Sequence, residues 1–403
     1  MAGFVAWVDY SSAERERMRR AVALFKERDT RDELGLGNIR DALSDLLFPG
    51  TSTIQTRPAY ALFVPWLYRD LERKGRVRGD NVEARARAAE LELIGPLRET
   101  ERANGVLGSR AGAALQRLPS SVYWNALLRW KVFQQDWSID EYHRAWDPLR
   151  AERGTQRTTD DSGILPDPRR TWHPELPEPP ATFPHEASFS LRRQDAVFLQ
   201  ERIRSACAGS LLAYAVDLAP RHRPALDVDT PWHAFHHLPP HLTRHLHTAH
   251  QFSALMQGAA LVYNVALARL IRSDELTERH LQSLSDWSAD AQEARVTEFE
   301  LRELWDLCAT QGANIGRRTQ AFVEQWQALL QTEGFRGLGD SRAARSLVEQ
   351  RETKLKGAMS RFRNARARDV WSGNSGIGRM VYRWPTARVL LEDLYAGLAA
   401  EEN

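Results

Sequence analysis

Residues 242–271 read LTRHLHTAHQFSALMQGAALVYNVALARLI, and this stretch decides the fold. Leu242, Leu246, Ala249, Phe252, Met256, Ala259, Tyr263, Leu267 and Leu270 recur at three- and four-residue steps. That spacing predicts a helix with an apolar face. Gly258, Ala259 and Ala260 in its middle allow another helix to approach closely. Its most apolar part, Phe252 to Leu270, carries Gln257, Asn264 and Arg269 and is flanked by His250 and Arg272, so a buried helix is expected and not a membrane span.

Helical patterning continues on both sides. Ser11 and Glu14 fit a capping box, followed by Met18, Val22 and Phe25 on one face. A helix is predicted over 39–47, stopped by Pro49-Gly50. Pro58 opens another through Leu71, with Pro65 expected to kink or split it. Ser138 and Glu141 form a second capping box. Beyond 190, helices are predicted over 191–207, 242–271, 278–308, 317–331, 341–368 and 385–399. The only strand-like segment is 4–10, and a lone strand has nothing to pair with. Between 151 and 187 the chain changes character, with Pro166, Pro168, Pro174, Pro177, Pro179, Pro180 and Pro184. Proline fixes φ and removes a donor, so a linker or surface excursion is expected there. The predicted fold is mainly α and multi-helical, with little or no sheet. An N-terminal helical region (1–150) and a C-terminal one (188–403) are joined by the proline-rich connection (151–187).

Composition bounds the function. In 403 residues, 42% are hydrophobic and 27% charged, which excludes wholesale disorder and a multi-span membrane protein. Lys and Arg number 55 against 53 Asp and Glu, so net charge carries no global signature of a nucleic-acid binder. Cys207 and Cys308 are too few for a disulfide framework or a four-thiolate zinc site. The N-terminus lacks a basic start before its apolar part, so no secretory signal is expected and the location follows as cytoplasmic.

Locally the charge is uneven. Residues 341–368 hold nine Lys and Arg, opposed only by Glu349 and Glu352. On one continuous helix, Lys354, Arg361 and Arg368 would nearly share a face. Arg361, Arg363, Arg366 and Arg368, with Trp371, Arg379 and Arg383 downstream, are therefore the candidate nucleic-acid-binding residues. Trp371, Tyr382 and Trp384 interleaved with arginines suit stacked single-stranded bases. The competing reading is a solvated face paired with acidic neighbours.

Weaker candidates are loops. Thr51, Ser52, Thr53 and Arg57 lie in a hydroxyl-rich connection that can bind an anion, or simply cap helices. Gly373, Gly376 and Gly378 can free amides for an anion, although no P-loop motif occurs. Seven histidines lie between 233 and 250, and His241 and His245 have the i, i+4 spacing of a chelating pair. No carboxylate lies between Thr230 and Arg272 to complete that site, and no cofactor is expected. There is no GxSxG or HExxH motif.

Three stretches carry a resemblance. They are Arg31-Asp-Glu-Leu-Gly35 with Phe48–Arg57 and Leu62–Trp66, then Phe252–Asn264, then Trp371-Ser-Gly, Tyr382-Arg-Trp384 and Gly397-Leu398. Together they resemble a family of uncharacterised bacterial proteins, a domain of unknown function, over nearly the whole chain. The resemblance implies a bacterial cytoplasmic protein, from gene neighbourhoods of helicases and phospholipase-D-like nucleases such as anti-phage defence clusters. It transfers no active site. The leading expectation is thus a non-enzymatic accessory subunit of a nucleic-acid-processing system, touching DNA or RNA through its C-terminal surface. The alternatives are a metal-dependent phosphodiesterase using the histidines of 233–250, and an adaptor that binds protein alone.

Overall fold

The computed structural model describes residues 32–74, 77–101, 104–156 and 171–401. The expected strand 4–10, the capping box at Ser11 and the helix after it lie outside the described residues, as do Pro166 and Pro168. Among the described residues there is no β-strand, only an isolated antiparallel bridge between Phe133 and Trp172.

The fold is mainly α. In chain order the first helices are α1 (Gly37–Leu47), α2 (Tyr60–Arg73), α3 (Val82–Glu92), α4 (Ile94–Glu101) and α5 (Pro119–Arg129). There follow α6 (Ile139–Arg144), α7 (Trp146–Gln156), α8 (Arg193–Ala206), α9 (Leu211–Val216) and α10 (Pro231–Ala234). The long α11 (Pro240–Leu270) precedes α12 (Asp274–Glu293), α13 (Leu301–Thr310) and α14 (Arg317–Glu333). The chain ends with α15 (Arg342–Lys356), α16 (Ala365–Asp369) and α17 (Trp384–Ala399). No helix among the described residues is long and apolar enough to cross a membrane.

Two compact units emerge, Met1–Leu43 with His247–Met380, and Ser44–Leu246 with Val381–Asn403, as far as each is described. This interleaved division differs from the serial one expected from the proline-rich segment. The last helix explains it within the second unit. Gly397 of α17 lies so close to α8 that an added Cβ would stand 2.8 Å from the Cβ atoms of Leu191 and Ala196. Tyr395 Oη donates to the Ala215 carbonyl at 2.7 Å. The described part of the proline-rich segment belongs to that same unit and straps α2. Trp66 Nε1 donates to the Pro177 carbonyl at 2.7 Å, and Phe183 packs on the rings of Phe63 and Trp66. Trp172 joins Trp124, Phe133 and Tyr142 in the aromatic core. The segment is therefore a packed surface excursion over 171–187.

Local signals behave as their chemistry dictates. The box at Ser138 opens α6, with Glu141 N donating to Ser138 Oγ at 3.2 Å and Ser138 N to Glu141 Oε2 at 2.7 Å. Pro65 does not split α2, which runs continuously through it in its second turn. The run expected as one helix over 278–308 breaks into α12 and α13 around Arg295, whose φ is 51°.

The first unit is organised on α11, with Phe252, Leu255, Ala259, Tyr263 and Leu267 buried. Trp287 packs closely against Gly258 and its Nε1 donates to the Ala254 carbonyl at 2.7 Å. A Cβ at Gly258 would stand 2.3 Å from the indole. Gly258→Ala is therefore expected to lower stability by about 1–3 kcal/mol through overpacking, despite its better helix propensity. Urea unfolding checks this, and an unchanged or raised midpoint would show that the indole can move away.

Candidate nucleic-acid interface

The basic run of residues 341–368 is not one helix. α15 stops at Lys356, because Gly357 takes a positive φ of 54° and a short 3-10 turn follows. Glu352, fully buried, holds the chain in that turn. Its carboxylate accepts from Arg361 N at 2.7 Å and from Ser360 Oγ. Lys354, Arg361 and Arg368 consequently share no helical face.

This break redistributes the seven expected contact residues. Arg361 points inward and pairs with Glu33 at 2.5 Å, while Lys356 bonds the other oxygen of the same carboxylate. Arg361 Nη1 also donates to Ser375 Oγ at 3.0 Å and to Tyr263 Oη at 3.4 Å. Burial weakens the charge of Arg361, but Tyr263 and Glu33 more than offset it and raise its pKa above the ordinary value. Burial raises the Tyr263 phenol likewise. Arg368 Nη1 donates to the carbonyls of Arg361 and Phe362, closing the turn. Trp371 is buried beside His280. Arg379 pairs with Asp290 at 3.1 Å. In the other unit, Arg383 pairs with Asp45 at 2.6 Å and donates to the Thr51 carbonyl. The structure thus draws Arg361, Arg368, Trp371 and Arg383 away from the expected surface, leaves Arg363 and Arg366 exposed on it, and keeps Arg379 exposed but paired with Asp290. The physical reason is that each of the four has a buried setting or a nearby oxygen that a solvated stripe would not supply.

A different surface takes shape on α15. Ala344, Val348, Arg351 and Glu352 are its buried side. The opposite side forms an open groove of about 480 Å³, lined by Arg342, Arg345, Ser346, Glu349, Gln350, Thr353, Lys354 and Arg363. Arg342, Lys354 and Arg363 have no carboxylate at ion-pair distance among the described residues, and Arg345 meets Glu349 only at 4.0 Å. Gln350 Nε2 donates to Ser346 Oγ at 2.9 Å. Four cations therefore face one groove that contains a single carboxylate. Arg342, Arg345 and Lys354 were visible in the sequence as members of the basic run, and the buried side of α15 shows that they reach solvent. Glu33 gave no such signal.

The remaining candidates lose their freedom. Arg57 makes a bidentate pair with Asp393, both bonds 2.7 Å, and lies over the Phe189 ring. Thr51 is buried and donates to the Phe48 carbonyl at 2.6 Å. Ser52 is engaged through its backbone, taking Thr386 Oγ1 on its carbonyl, and Thr53 alone stays exposed. Arg57 and Thr51 make this loop a structural corner of the second unit. The glycine-rich loop lines a small cavity of about 40 Å³ with Asp32, Glu33, Tyr263 and Gln257. Two carboxylates in that lining disfavour a phosphate there. His241 and His245 place their rings 5.9 Å apart, and among the described residues no group of three His, Cys, Asp or Glu can hold a metal. Burial pushes the thiols of Cys207 and Cys308 up to about 11, so neither is a thiolate at neutral pH.

Fold and site together define a mainly helical protein with a buried ion cluster and a basic groove beside one helix. The chain belongs to a family of unknown function (DUF6361), which matches residues 2–397. No curated protein and no solved structure matches it.

Proposed function

We propose that this protein is a non-enzymatic, cytoplasmic accessory subunit that contacts a nucleic-acid backbone through the groove on α15. The observation that carries this reading is the convergence of Arg342, Arg345, Lys354 and Arg363 on one open surface opposed by Glu349 alone. Such cations neutralise phosphates and release condensed counterions. The role beside helicase or nuclease proteins of a bacterial anti-phage defence cluster rests on the family resemblance, and the groove is its point of contact with their substrate.

Replacing Arg342, Arg345, Lys354 and Arg363 together by Glu is expected to abolish binding to short DNA or RNA at low salt. The thermal midpoint should stay close to the parent's, because these side chains are exposed and surface pairs contribute little. For the parent, log affinity should fall with log salt at a slope of about −3.6 on duplex for four phosphate contacts. A variant that binds as tightly as the parent ends the proposal. Copurification of helicase or nuclease proteins with the variant, but no binding of nucleic acid by the parent, would put the adaptor role in its place.

A further inference from the structure

Resting on that reading, we infer that the groove takes the phosphodiester backbone of a duplex and reads no bases. The sequence suggested stacked single-stranded bases, but the aromatic rings invoked for it are inside the protein. Trp371 is 8% exposed, Tyr382 2% and Trp384 0%. Phe362, between the arginines, is buried with its ring edge-on to Tyr263. No aromatic side chain lines the groove among the described residues. Single-strand binders need such rings, because base stacking supplies much of their affinity.

What remains is charge along a line. From Arg342 to Lys354 the helix advances about 18 Å. A duplex presents one charge per roughly 1.7 Å of axis, a single strand far fewer, so the same cations displace more counterions from the duplex. The groove is also the wrong shape for base readout. Arg363 comes from the turn after α15 and joins the lining, so this face is concave and is no free ridge to enter a major groove. Gln350 and Ser346, which could address base edges, bond each other. Glu349 sits among the cations and repels any phosphate that enters deeply.

The test uses the full chain and fluorescent ligands in a salt series. Two duplex DNAs of unrelated sequence, their separate single strands, and a duplex RNA are compared. The two DNA duplexes should bind equally, and the single strands at least about tenfold more weakly at the same salt. Arg363→Ala and Lys354→Ala should each reduce the duplex slope by about 0.9. Binding of either duplex type alone identifies which helix form the groove fits and supports duplex recognition. Preference for single strands, or for one DNA sequence by more than about tenfold, overturns the inference while leaving the groove as the contact. No binding to any ligand, or slopes unmoved by both substitutions, overturns the groove itself.

Discussion

Glu33→Ala is expected to lower the stability of the protein by about 3–5 kcal/mol. Glu33 is 3% exposed and its carboxylate meets Lys356 and Arg361, whose side chains are 11% and 13% exposed. Removing the carboxylate leaves two cations desolvated with no opposing charge between them. The penalty for an uncompensated buried ion exceeds anything the lost contacts alone would cost. Arg361→Glu should be at least as damaging, since it would bring Glu33 against a second carboxylate. Arg363→Ala, two residues away but exposed, should change stability by about 0.5 kcal/mol or less. Urea unfolding of the three variants checks this ordering. A loss under about 1 kcal/mol for Glu33→Ala would mean that water reaches the cluster and that the pair is a surface bridge. The same contrast has a practical consequence. Changing the arginines of 361–368 as a block confuses unfolding with loss of binding, whereas the α15 cations can be changed without that risk.

The difference between Arg361 and Arg363 shows where sequence reasoning stops. The helix over 242–271 was legible because its signal is periodic and local, and so were the Ser138 cap and the small residues under Trp287. The helical class followed from such signals alone. The partner of Arg361 lies 328 residues away, and no spacing rule connects them. Charge runs look alike whether their members face water or a buried carboxylate. Gly357 stands within the basic run, and glycine is a common helix stop. The break it causes is what removes Arg361 from the surface. Likewise Arg57 resembled an anion ligand until the structure supplied Asp393, 336 residues on. The groove was half legible: composition located its cations, and only the buried face of α15 says which of them reach solvent.

Glu90 offers the second large effect, this time as a dependence on pH. Its carboxylate is 1% exposed and accepts from Ser120 N and Ser120 Oγ, both at 2.7 Å, at the start of α5. Burial raises its pKa from 4.5 to about 7, because the bonds from Ser120 and the nearby Arg87 only partly offset desolvation. An acid whose folded pKa is raised favours the protonated fold. Its stabilising contribution is complete below the unfolded value near 4.5 and is lost as pH rises through about 7. The shift corresponds to about 3 kcal/mol across that window. Glu90→Gln carries no charge at any pH, so the variant should gain on the parent by about that amount between pH 5 and pH 8. Tyr68 faces the same carboxylate, and burial raises its phenol far above this range. His143, bonded to Tyr68, is held below its usual pKa by burial and destabilises the fold at the acid end. It is present in both proteins, so it cancels in the difference between them. Parallel urea titrations at the two pH values decide the matter. A constant gap between parent and variant would mean that Glu90 is ionised in the native state throughout this range, as in the unfolded chain, and the site at the start of α5 would then be solvated.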